Sequence, residues 1–157
     1  MLDQLSFETP GSFFSYSPAG GLGWAVGAAL GAKLAAPAKT VIATVGDGAY
    51  MFANPTPAHF ASRASDLPIL TIVFNNSLRG AVRSATLSVY PDGHASRANR
   101  MPLATLDPSP DYEKLVEASG GYGERVTDPA EVPAALQRAL HAVRVERRQA
   151  VLNLIVR

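Results

Sequence analysis

The chain has 157 residues, 47% of them hydrophobic, enough for one buried core and too few for two full-size domains. Its 14 basic and 13 acidic side chains leave a formal charge of +1, so no global field draws it to nucleic acid or to anionic lipid. It contains no cysteine, which excludes disulfides and thiolate metal sites. No apolar stretch approaches the ~18–20 residues of a membrane span. The start, MLDQLSFETPGSFF, lacks the basic opening and apolar core of a signal peptide. A soluble, cytoplasmic α/β domain with no membrane partner is the expectation.

In chain order, GGLGWAVGAALGAKLAA from Gly20 predicts a glycine turn opening a helix whose small residues let it approach a sheet closely. Thr40–Val45 is a β-branched run that predicts a buried strand. A helix is expected over 56–65, with Pro55 and Pro57 in its first turn and Phe60 and Ala64 sharing one face. Ile69–Phe74 predicts a second buried strand. From Ser77 to Pro108 the periodicity fades, predicting a long loop with at most short helical pieces, a length more often functional or mobile than filler. Ser109 then reads as an N-cap with Pro110 at the first helical position, leading into a helix that Gly120 and Gly121 end. Tyr122–Val126 predicts a short strand. Asp128-Pro129-Ala130-Glu131 resembles a capping box ahead of a helix striped by Val132, Ala135, Leu136, Ala139, Leu140 and Val143. AVLNLIV is the last strand. Strands alternating with helices, and apolar on both faces, predict a three-layer α/β domain with a mostly parallel sheet covered on each side.

Two readings of the chemistry compete. GLGWAVG, with Asp47 at the end of the next strand, imitates a dinucleotide-binding fingerprint in which the acid holds ribose hydroxyls. SFFSYSPA, just before the glycines, is a poor buried first strand, and a ribose-binding acid does not need glycines on both sides. The second reading uses both strand ends. Asp47 sits between Gly46 and Gly48 after one strand, and Asn75-Asn76 closes the next. Ligands of parallel α/β sheets bind outside the carboxyl ends of the strands. One carboxylate plus one amide oxygen is a hard, oxygen-only set that suits Mg²⁺ completed by water and phosphate. Gly46 and Gly48 would let backbone N–H groups approach phosphate oxygens without a Cβ in the way. Plain turn chemistry at Asp47 is the bland alternative.

GDG at 46–48, residues 49–74 between, and NN at 75–76 resemble the thiamine diphosphate signature of the decarboxylase and acetolactate synthase superfamily. PGSFFSYSPAGGLGWAVGAALGAKLA is similar to the matching part of acetolactate synthase-like and benzoylformate decarboxylase-like enzymes. The resemblance covers residues 10 to 83 well and the remainder as general organisation. It implies the pyrophosphate-binding domain, with the pyrimidine-binding and middle domains absent from this chain. It also implies thiamine diphosphate and Mg²⁺ as cofactors and a 2-oxo acid as substrate. By resemblance, Asp47 and Asn76 give Mg²⁺ their side-chain oxygens and Leu78 its backbone carbonyl. Gly48, Ala49, Arg79 and Gly80 line the diphosphate through backbone N–H groups. Gly20 offers the carbonyl that accepts the pyrimidine amino group, and Leu22 is the wedge that bends the cofactor. Many relatives carry a hydroxyl residue where this chain has Ala49.

Other residues have plainer expectations. Asn75 reads as structural and Trp24 as core, while Leu22 reads equally as core or wedge. His59 is expected on the outside of a surface helix. His94 and Tyr16 are weaker candidates for substrate contact. Arg138, His141, Arg144, Arg147 and Arg148 read as the solvated side of the final helix. The family's cofactor activation needs a glutamate against the pyrimidine ring, and neither Glu8 nor Glu113 stands in the motif that carries it. The chain is therefore expected to be a piece of a longer enzyme or a subunit needing a partner's pyrimidine domain. It is expected to form a homo-oligomer and to be inactive alone. A Rossmann-like dinucleotide domain and a non-catalytic assembly domain remain the alternatives.

Overall fold

The computed structural model describes residues 6–15 and 20–156. Helix α1 (Trp24–Ala35) leads to strand β1 (Ile42–Gly46), and two short helices follow, α2 (Asp47–Phe52) and α3 (Pro55–Ala64). Strand β2 (Leu70–Asn75) precedes α4 (Gly80–Val89) and α5 (His94–Ala98). Then come α6 (Tyr112–Glu117), β3 (Tyr122–Val126), a 3₁₀ turn (Pro129–Glu131), α7 (Val132–Arg144) and β4 (Ala150–Ile155). The four described strands form one sheet in the order β1-β2-β4-β3, every pair parallel.

A strand alternates its side chains between faces, so the sheet buries two cores. On one face Val73 and Val151 join Val26 and Ala29 of α1, Tyr50 of α2, and Tyr112 and Val116 of α6. On the other, Leu70, Leu152 and Leu154 pack on Ala135, Ala139 and Val143 of α7, the stripe predicted from the sequence. Close packing on the first face depends on Gly123. A Cβ there would lie 2.1 Å from the Glu113 carbonyl oxygen, so α6 rests directly on the β3 backbone.

Several expectations need correction. The stretch expected to be largely loop holds the ten-residue helix α4, none of whose residues is buried. With no face against the core, its sequence had no reason to show a buried helical stripe. The N-cap of α6 is Asp111, without a side-chain cap bond; Ser109 instead accepts from Asn75 Nδ2 at 2.8 Å. Asp128 does bond the Ala130 amide at 2.9 Å, but the turn it caps is 3₁₀ before α7 begins. Trp24 is 43% exposed, because α1 turns Val26, Ala29 and Lys33 inward and Trp24 lies off that stripe. Helix α3 is reversed from expectation. Its buried residues are Pro55, His59 and Ser62, while Phe60 is 69% exposed and Ala64 is also outside.

Candidate functional site

The register pairs Gly46 of β1 with Phe74 of β2, so the residues that follow, Asp47 and Asn75-Asn76, leave neighbouring parallel strands at the same end of the sheet. Asp47 is 2% exposed at the first position of α2. Its Oδ1 accepts the Gly48 amide at 2.8 Å, and its Oδ2 is buried with no partner. A carboxylate oxygen left without a hydrogen bond is costly inside a protein, so its retention points to a ligand.

The second loop meets the first through Gly48. A Cβ on Gly48 would stand 2.8 Å from Arg79 Cγ, so the Arg79 side chain lies against the glycine. Arg79 Nε and Tyr112 Oη are also buried without partners, and the charges of Asp47 and Arg79 both act on Tyr112. Burial first, then the Asp47 charge, pushes the Tyr112 phenol up to about 12, which keeps it a neutral donor. Three of the four buried partnerless side-chain atoms among the described residues therefore belong to this one place, Thr71 Oγ1 being the fourth.

Residues 77–79 are held by a short antiparallel bridge, Leu78 opposite Thr105, with Arg79 N donating to Ala104 O at 2.7 Å and Leu106 N to Ser77 O at 2.8 Å. This turns the Leu78 carbonyl away from the bridge, where it accepts the Gly80 amide at 2.9 Å and keeps one lone pair free. Asn76 Oδ1 accepts the Leu78 amide at 3.0 Å and likewise has a lone pair left. The Arg79 and Gly80 amides, expected to face a diphosphate, are thus already paired within the loop. What the sequence reading missed is the Arg79 side chain, which lies against Gly48 with its Nε buried and without a partner. Ala49 turns its methyl onto the first core. Helix α4 begins at Gly80 at this same end, with the Gly80 amide bonded to the Leu78 carbonyl and the Arg83 amide to the Arg79 carbonyl.

The glycine turn reaches the same end. Gly23, at φ 86°, allows a close approach to Ala53, the residue after α2, because a Cβ there would lie 2.9 Å from the Ala53 backbone. Gly20 has φ 71°, and its carbonyl accepts the Leu22 amide at 2.9 Å. Leu22 is 54% exposed, which removes it from the core. His94 is exposed at the start of α5, and Tyr16 lies outside the described residues. Arg138, His141, Arg144 and Arg147 are exposed on or just after α7, as expected, and Arg148 is half-buried against Glu146. A cavity of about 320 Å³ lined by Lys33, Thr40, Pro68 and Arg144 opens at the opposite end of the sheet. Its cations sit at the C-terminal ends of α1 and α7, where they complement the helix dipoles.

His59 corrects the surface-helix expectation most sharply. It is 1% exposed, with Nε2 2.6 Å from the Tyr50 hydroxyl and Nδ1 2.8 Å from Gln149 Oε1. Gln149 Nε2 donates to the His59 carbonyl at 2.8 Å, which fixes the amide orientation. Nδ1 must therefore carry the proton, and Nε2 accepts from Tyr50. Burial lowers the His59 pKa and raises that of Tyr50, so the pair is neutral in the fold. Because the folded pKa lies below the unfolded value near 6.5, stability is full above about pH 6.5 and falls as the pH drops, by at most ~1.4 kcal/mol per pH unit for one proton. Urea unfolding between pH 7.5 and 5 should show this loss, and a His59→Gln variant should show less of it; equal slopes would exclude His59 as the cause.

A parallel α/β sheet with a buried carboxylate, one of its oxygens without a partner, and an asparagine loop at adjacent strand ends is a donor set of the kind that suits a metal–phosphate group. The chain belongs to the family described as thiamine pyrophosphate enzyme, C-terminal TPP binding domain, whose model matches residues 1–153. It is 33% identical over 130 residues to the acetolactate synthase large subunit of Mycobacterium tuberculosis, covering 83% of this chain and 22% of that protein. It is 30% identical over 141 residues to the acetolactate synthase isozyme 3 large subunit of Escherichia coli, covering 90% and 23%. Among solved structures it is similar to the thiamine diphosphate-dependent 4-hydroxybenzoylformate decarboxylase of Rhodococcus jostii RHA1. There the TM-score is 0.69 at 28% identity, over 88% of this chain and 23% of that one. The chain thus spans under a quarter of these relatives' length. It is a thiamine diphosphate-binding domain of the acetolactate synthase-like kind, and the dinucleotide alternative falls away. Among the described residues no helix is long and apolar enough to cross a membrane.

Proposed function

We propose that this chain holds the magnesium diphosphate of thiamine diphosphate as the C-terminal part, or a separate subunit, of a cytoplasmic 2-oxo acid decarboxylase or carboligase. The observation that carries the reading is Asp47 Oδ2, buried and unpaired beside the Asn76–Gly80 loop. Asp47, Asn76 and the Leu78 carbonyl would hold Mg²⁺. Gly48, Ala49, Arg79 and Gly80 would line the diphosphate, with the Arg79 guanidinium as counter-charge. Gly20 and Leu22 would meet the pyrimidine half. When bound, the cofactor supplies a nucleophilic carbon for attack on a 2-oxo acid.

The carboxylate that activates the pyrimidine comes from outside this chain. Glu113 is buried and accepts from Asn153, and Glu8 is exposed, so neither is poised at the site. Leu22, Trp24, Phe52 and Val82 are each more than two-fifths exposed, an apolar surface that supports a pyrimidine domain and a second subunit as its covers. The expected results are self-association by sedimentation and no turnover of any 2-oxo acid by the chain alone. In an NMR titration, Mg²⁺ and thiamine diphosphate together should shift the Gly48, Ser77 and Gly80 amides, and neither should do so alone. Shifts confined to other residues would overturn the assignment.

A further inference from the structure

Beneath the Asn76–Leu78 turn runs a buried polar chain that crosses the sheet. Asn153, at the middle of β4, donates Nδ2 to Glu113 Oε2 at 2.7 Å. Its Oδ1 accepts from Asn75 Nδ2 at 3.0 Å, and Asn75 Oδ1 in turn accepts the Ser77 amide at 3.0 Å. Asn153 is fully buried, Asn75 is 1% exposed and Glu113 8%. We propose that Glu113 is a positioning residue for the cofactor turn, setting through Asn153 and Asn75 the direction of the bond that holds Ser77. This rests on the reading of Asn76 and Leu78 as cofactor-binding residues.

The argument is one of polarity. A carboxylate only accepts, so Asn153 must turn its NH₂ towards Glu113 and its oxygen towards Asn75. Asn75 must then turn its NH₂ towards Asn153, where it also reaches Ser109 Oγ at 2.8 Å, and only its oxygen is left for Ser77. Were either amide reversed, an NH₂ would face the Ser77 N–H and the turn would lose its anchor. Ser77 needs that anchor, since its φ of 55° lies in the left-handed region that a serine seldom adopts. Thus the acid on α6 and the turn after β2, far apart in sequence, share one directional chain. The adjacency of Asn75 to Asn76 has a physical reason: one amide anchors the turn and the next faces the ligand.

The test is amide hydrogen exchange on the free chain, comparing Ser77 with Val73 in the interior of β2. Glu113→Ala should speed Ser77 exchange about tenfold relative to Val73, the scale of one lost hydrogen bond. Glu113→Gln, whose amide oxygen can still accept from Asn153, should restore a ratio near that of the wild type. If the alanine variant does not fold, Glu113→Leu, which fills the volume without an acceptor, must give the same rise. A Ser77-to-Val73 ratio unchanged in the variant lacking an acceptor, or raised equally by glutamine, would overturn the proposal. Since no metal or cofactor is present in this measurement, its outcome is independent of the NMR titration that tests the functional reading.

Discussion

Asp47→Ala is expected to weaken binding of Mg²⁺ with thiamine diphosphate by about 100-fold or more, beyond the range for removing groups that only support metal ligands. The free protein should change in stability by only about 1 kcal/mol. The two effects separate because of how Asp47 is buried. It makes one hydrogen bond, from the Gly48 amide, and leaves Oδ2 with nothing. Removing it forfeits one bond but also removes a desolvated oxygen that costs free energy in the unliganded state. A purely structural aspartate would behave in the opposite way, with a large loss of stability and no specific loss of ligand. Calorimetric titration and thermal melts on the same preparation distinguish these outcomes. A variant that binds as the wild type does would remove Asp47 from the site.

The largest expected loss of stability from a single methyl group is at Gly123. Its Cβ would come within 2.1 Å of the Glu113 carbonyl oxygen and 2.8 Å of the carbonyl carbon, backbone atoms that cannot swing aside. Gly123→Ala should therefore cost about 3 kcal/mol, lowering the melting temperature by about 6–12 °C. Gly27→Ala is the control. It lies within α1 with nothing within 4 Å of the added carbon, and should stabilise by about 0.5–1 kcal/mol. An alanine at 123 that melts with the wild type would mean that α6 can move off β3 freely, and with it Glu113.

The sequence already contained the elements whose burial repeats with a regular period. The runs at β1, β2 and β4 and the Ala135–Ala139–Val143 stripe of α7 face apolar cores, and cores impose periodicity on the residues that build them. The GDG and NN motifs were legible for a related reason, since they interrupt apolar strands with groups that strands do not need. Their meeting at one end of the sheet follows from β1 and β2 being parallel neighbours, which the pairing of Gly46 with Phe74 establishes. What only the tertiary structure decided is where polar side chains find one another. His59 read as a surface residue because a histidine on a short helix ordinarily meets water. It is buried because Tyr50, nearby in sequence, and Gln149, far along the chain, supply a complementary donor and acceptor. In the same way Glu113 is joined to the turn at Ser77 through Asn153 and Asn75, with no shared spacing to announce it. Hydrophobic burial is additive and periodic and can be read one segment at a time. Buried hydrogen bonds are directional and pairwise, so their partners are fixed only when the sheet brings α6, β4 and β2 together.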